Sequence, residues 1–76
     1  MPIESLEELL SEEKEAREIR RRMADWRFIE SQPPRIREAL KYYIETGDIR
    51  RAAKLAGLAL EDFRSLLRRA RIPVVV

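Results

Sequence analysis

The chain of 76 residues contains neither cysteine nor histidine. Without cysteine it can form neither a disulfide framework nor a cysteine-ligated metal site. Without histidine it lacks the commonest general base and the commonest metal ligand. Carboxylates, serines and tyrosines remain, but they form no recognisable catalytic pattern. We therefore expect a protein that is not an enzyme and that binds no metal or cofactor.

Long apolar runs are missing as well. The LAGLAL stretch of residues 55–60 is the longest one without charge, and a membrane-spanning helix needs about 20 apolar residues. The N-terminus is acidic and has proline as its second residue, which is not the pattern of a secretory signal. These features predict a cytoplasmic protein that does not enter a membrane.

Charge, in contrast, is abundant and unevenly distributed. Residues 1–30 carry nine acids and six bases, a net charge of −3, whereas residues 31–76 carry five acids and ten bases, a net charge of +5. The asymmetry predicts that the C-terminal half meets a polyanion, although two solvated charged faces would produce it as well. Arginine outnumbers lysine 13 to 3 and asparagine is absent, a bias that thermophilic proteins show.

A chain of this length forms one small domain, which is marginally stable alone and favours a partner. We divide the single domain 1–76 into an N-terminal amphipathic helical extension over 1–31, a helical core over 34–72 and a short extended tail over 73–76. Prolines separate the three parts, because they lack the backbone donor that a helix interior needs. The predicted fold class is all-α.

The N-terminal extension has helix formers throughout and predicts either one long helix or a short turn followed by a longer helix. Its apolar residues recur at spacings of seven, three, four and three and share one stripe of the helix; they are Leu9, Ala16, Ile19, Met23 and Trp26. We expect this stripe to pack on the domain or on a second copy, with Leu9, Ile19, Met23 and Trp26 as interface residues. The bases that follow the acids here suit the helix dipole and do not require nucleic acid.

Residues 47–70, GDIRRAAKLAGLALEDFRSLLRRA, have the spacing of a helix-turn-helix. Ala53 is small where the two helices would cross. Gly57 follows four residues later, where the turn needs a positive φ, and Phe63 comes six residues after that, inside the second helix. Gly47 is placed to end the preceding helix, and Asp48 to cap the next one. An ordinary helical corner is the alternative interpretation.

The bases of this unit form a candidate surface for DNA phosphates. Arg64, Arg68 and Arg71 are spaced i, i+4 and i+7 and so share a stripe of the second helix. The carboxylates of Glu61 and Asp62 would repel DNA phosphates, but they are favourable at the positive end of the helix dipole. A solvated face is the other interpretation of these bases. The predicted DNA-binding residues are Arg50, Arg51, Lys54, Arg64, Ser65, Arg68 and Arg71.

The C-terminal half carries a broader pattern: an alanine–leucine helix, a glycine, an AAxLAG helix, a second helix with phenylalanine and paired leucines, and a closing IPV. The matching positions are Ala39, Leu40, Gly47, Ala52, Ala53, Leu55, Ala56, Gly57, Phe63, Leu66, Leu67, Ile72, Pro73 and Val74. In this pattern the chain resembles small prokaryotic helix-turn-helix proteins of antitoxin type. The resemblance implies a regulator that binds duplex DNA and neutralises a partner toxin, often a ribonuclease. Where that family has a polar cap after the turn, this chain has Ala59.

Two functions therefore compete. The first is a helix-turn-helix regulator that binds double-stranded DNA as a homodimer, since one small unit binds DNA weakly and two half-sites restore affinity. The second is a helical interaction or oligomerisation module that does not bind DNA and whose working surface is the stripe of the N-terminal helix.

Overall fold

The computed structural model describes residues 6–74, with every side chain in that range except that of Glu7. Over these residues the expected all-α class is confirmed. The first five residues of the predicted extension and the last two of the predicted tail lie outside the described part. The helices are α1, Leu6–Met23; α2, Trp26–Glu30; α3, Pro34–Thr46; α4, Ile49–Ala56; and α5, Leu60–Arg69.

The N-terminal segment is helical, but the structure divides it between α1 and α2. The Asp25 carboxylate accepts a hydrogen bond from the backbone N–H of Phe28 at 3.1 Å and so caps α2. The backbone N–H of Asp25 donates to the carbonyl of Ala70 at 2.8 Å. This hydrogen bond connects the break between α1 and α2 to the end of α5. This division was not predicted, and it separates Trp26 from the helix that carries the rest of the apolar stripe.

The boundaries of the later helices follow local sequence signals. Pro34 is the first residue of α3, and Gly47 ends that helix with a φ of 71°. The Asp48 side chain accepts from the backbone N–H of Arg51 at 3.1 Å and caps α4. Gly57, also with a φ of 71°, ends α4. These features confirm the boundaries that glycine and aspartate predicted.

The core lies where α3, α4 and α5 meet, beside the short α2. Small residues of α4 allow the helices to approach closely, and Tyr43 of α3 meets Phe63 of α5 edge to face at 6.3 Å between ring centres. Ile29 of α2 joins this core, a contribution that the sequence did not predict. The largest fully buried side chains are Phe63, Ile29, Leu40, Ile44 and Leu67.

Candidate nucleic-acid interface

Three arginines in the second half of α1 hold the C-terminal end of α3. Arg20 is only 7% exposed, and its Nε donates to the carbonyl of Ile44 at 2.8 Å. Arg17 Nε donates to the carbonyl of Glu45 at 3.0 Å, and Arg21 binds the Glu45 carboxylate through two nitrogens. Because cations near the last carbonyls of a helix are favourable, these arginines have a structural role.

Arg20 also covers an aromatic ring. Its guanidinium carbon lies 5.7 Å from the centre of the Tyr43 ring. Burial raises the pKa of Tyr43 above its ordinary value, and the positive charge of Arg20 opposes part of that rise. A Cβ added at Gly47 would lie 3.3 Å from an Arg20 nitrogen. Glycine at this position therefore serves both the left-handed turn and the placement of the arginine.

Arg35 has the same role at the end of α4. Its Nε donates to the carbonyl of Leu55 at 2.8 Å, and a Cβ added at Gly57 would come within 3.0 Å of its guanidinium group. Lys41 forms an ion pair with Glu30 at 3.1 Å, which links α3 to α2. These cations are occupied in holding helices together, a role that was not predicted from the sequence.

The cations of the α4–α5 corner have a different environment. All six are exposed, and none forms an ion pair with a carboxylate within residues 6–74. Arg68 donates to the hydroxyl of the exposed Ser65 at 3.1 Å. We name this set the corner cations; its members are Arg50, Arg51, Lys54, Arg64, Arg68 and Arg71.

Five of the six corner cations border two separate depressions, and Arg51 lines neither of them. Arg50 and Lys54 lie beside a hollow of about 330 Å³ between α4 and the start of α5. Arg64, Arg68 and Arg71 lie along a groove of about 480 Å³ that is also lined by the end of α1 and the segment after α5. The two depressions have no lining residue in common. The structure thus brings together two subsets of the predicted DNA-binding residues and does not gather all of them in one concave site.

The groove beside α5 combines arginine with an apolar floor. Its lining includes the end of α1 and the segment after α5. We name this surface the arginine groove; it is lined by Met23, Arg64, Arg68, Arg71, Ile72, Pro73 and Val74. The sequence did not predict it, since Met23 and Val74 lie far apart along the chain. The prediction that Arg71 continues the stripe of Arg64 and Arg68 was wrong, because α5 ends at Arg69 and Arg71 adopts a left-handed φ of 57°.

The apolar stripe of the N-terminal segment lies outside the buried core. Leu9, Ile19, Met23 and Trp26 are each at least 40% exposed. The indole N–H of Trp26 nevertheless donates to the carbonyl of Arg21 at 2.8 Å. This bond gives a hydrogen-bond donor to one of the last carbonyls of α1, which have no partner within the helix. The stripe is therefore only partly covered by its own domain, with Met23 lying beside Ile72 and Val74 in the arginine groove. Contact with a second copy or another partner stays a prediction.

The N-terminal end of α5 is acidic. Glu61 and Asp62 lie exposed in its first turn. Ala59 occupies the capping position and has no side-chain hydrogen bond. The two carboxylates therefore compensate the positive end of the helix dipole, in the absence of a polar cap. In a helix-turn-helix this same end faces the bases.

Other kinds of site find little support in the geometry. No group of three or more carboxylate side chains within residues 6–74 could hold a metal ion. In the same part of the chain, no helix has both the length and the apolar character to cross a membrane. Comparison with protein-family models, with curated proteins and with solved structures finds no match to the chain.

Proposed function

We propose that the chain is a small DNA-binding regulator in which α4 and α5 form a helix-turn-helix. The observation that carries this proposal is the set of six exposed corner cations with no carboxylate partner in the described structure. Cations of this kind can neutralise phosphates and release the counterions that DNA holds. In contrast, Arg17, Arg20 and Arg35 donate to backbone carbonyls at helix ends. Arg21 is paired with the Glu45 carboxylate.

The arrangement of the two helices supports the proposal. A turn of three residues, Gly57–Ala59, joins α4 to α5, and Ala53 is buried, as a steep crossing of two helices requires. The Arg64 and Arg68 side chains leave α5 away from the buried Phe63. The short turn, the buried Ala53 and the exposed cations on both helices therefore support the proposal that α4 and α5 approach a duplex as a helix-turn-helix does.

The acids at the start of α5 favour a binding mode dominated by phosphates. Glu61 and Asp62 repel the DNA backbone near the end of the helix that would otherwise contact bases. Phosphate contacts position a protein on DNA without reading its sequence. We therefore propose that the corner cations supply most of the affinity. Neutralisation of a toxin is a separate proposal, supported by the resemblance of the C-terminal half alone.

The proposal is tested by removing pairs of corner cations and measuring binding to a fluorescent duplex by anisotropy. The variants Arg50→Gln/Lys54→Gln and Arg64→Gln/Arg68→Gln are each expected to weaken binding by about tenfold or more. Each lost phosphate contact reduces the number of counterions that DNA releases on binding. Arg22→Gln/Arg27→Gln is the matched control. It removes the same charge from exposed positions on α1 and α2, and its affinity should stay within about twofold of the original.

Two results would count against the proposal. Equal losses in the control and in both corner variants would show a general response to net charge. Unchanged binding in both corner variants would show that the corner is not the contact surface. Circular dichroism of each variant establishes that it retains its helices.

A further inference from the structure

The first half of α1 carries leucines that the domain does not cover. The polar contacts that join α1 to α3 come from Arg17, Arg20 and Arg21, all in its second half. Before them, Leu6, Leu9 and Leu10 are exposed, Leu6 by 71%. The molecule measures 45 × 23 × 17 Å, and its radius of gyration of 13.4 Å exceeds the value of about 11 Å expected for a compact domain of this length. The start of α1 thus extends beyond the core.

The two ends of α1 have opposite chemistry. The first half combines the exposed leucines with carboxylates such as Glu12 and Glu13, both exposed. At the other end Met23 lies in the arginine groove, whose arginines supply the basic charge, while Arg20 and Arg21 of the last turn are already bound to α3. One end is therefore apolar and acidic, and the other is apolar and basic. In a pair of identical chains, the acidic end of each α1 can contact the basic end of the other.

We propose that two copies pair through antiparallel α1 helices, with the acidic first half of each α1 lying along the arginine groove of the other. Such a pair has two-fold symmetry, so every contact is made twice. The antiparallel direction follows from charge, because parallel helices would place acids beside acids and arginines beside arginines. The groove and the exposed leucines of both copies leave solvent in the same step.

The spacing along α1 gives the register of this pair. Leu9, Ala16 and Met23 follow one another at intervals of seven residues and share one flank of the helix. In an antiparallel pair centred on Ala16, Leu9 of one copy meets Met23 of the other. The small side chain of Ala16 lies at the symmetry axis, where it allows the helices to approach to about 8–10 Å. Ile19 lies on the same flank and adds to the contact.

This pairing would cover the groove arginines and would leave Arg50, Arg51 and Lys54 of each copy exposed for contact with phosphates. A two-fold assembly holds two α4–α5 corners, as binding to two half-sites requires. Arg64 and Arg68 belong to both the groove and the corner cations. The pairing is therefore tested without DNA and with substitutions on α1 alone, so that its failure and the failure of the proposed function can be told apart.

The absence of cysteine from the natural chain permits a direct test by disulfide cross-linking under mild oxidation. Ala16→Cys should cross-link with itself, because the two positions meet at the axis. Leu9→Cys and Met23→Cys should cross-link with each other when mixed. Each should cross-link poorly with itself, since 14 residues of helix separate identical positions by about 21 Å and a disulfide needs Cα atoms within about 7 Å. Ser11→Cys, on another flank of α1, measures the background.

Sedimentation of charge variants tests the contact with the groove. Glu12→Lys/Glu13→Lys should weaken dimerisation by about tenfold or more, because it places four like charges beside the arginines of the pair. The control Glu15→Lys/Glu18→Lys makes the same change on another flank of the same helix and should have a smaller effect. Self-linking of Leu9→Cys without the mixed Leu9–Met23 product would overturn the antiparallel pairing. A monomer at high concentration, or equal effects of the two charge variants, would also overturn the proposal.

Discussion

At the scale of single residues, arginine has two separate roles in this chain. Arg20 and Arg35 donate to the last carbonyls of α3 and α4 and lie against the glycines that end those helices. The corner cations have neither a carboxylate partner nor a carbonyl partner in the described structure. What a given arginine does therefore depends on which helix end it can reach, and composition alone could not distinguish the two roles.

We predict that Arg20→Gln lowers the free energy of unfolding by about 2 kcal/mol, because it removes a charge-assisted hydrogen bond to the end of α3 and the contact with Tyr43. Chemical denaturation monitored by circular dichroism measures the change. Arg22→Gln, at an exposed position two residues further along α1, should change stability by less than about 0.5 kcal/mol. Equal losses in the two variants would contradict the structural role of Arg20.

At the scale of helices, the C-terminal half was predictable because its boundary signals are local. Gly47 and Gly57 adopt the left-handed conformation, and Asp48 caps the helix that it precedes. The break between α1 and α2 was not predictable, since it depends on the bond from Asp25 to the distant Ala70. The arginine groove was missed for the same reason. Helical periodicity predicted which cations of α4 and α5 are exposed. It could not predict that most of these cations border two separate depressions.

The acidic start of α5 leads to a prediction at this scale. Glu61→Gln/Asp62→Asn should raise the affinity for duplex DNA several-fold, because it removes two negative charges from the end of α5 that the proposed function places nearest the bases. The same change should lower the free energy of unfolding by about 1 kcal/mol, through lost compensation of the helix dipole. Anisotropy and chemical denaturation measure the two effects. Glu15→Gln/Glu18→Gln on α1 is the control, and the same gain in affinity there would contradict the proposed position of α5.

At the scale of the whole molecule, the corner cations and most of the uncovered apolar surface lie on different helices. The corner cations belong mainly to α4 and α5, whereas most of the exposed large apolar side chains belong to α1 and the start of α2. A chain of this size gains stability from covering such apolar surface with a partner. The two surfaces meet at the arginine groove, where Met23 lies among Arg64, Arg68 and Arg71.

The most direct measurement of the proposed function is the salt dependence of duplex binding by the unaltered protein. If the six corner cations of one copy neutralise phosphates, the logarithm of the association constant should fall against the logarithm of salt concentration with a slope of about −5. For a dimer paired through the arginine groove the expected slope is similar, because Arg50, Arg51 and Lys54 of the two copies again make six phosphate contacts. No binding at low salt, or a slope shallower than about −1, would contradict a phosphate-binding corner and would direct attention to the exposed surface of α1.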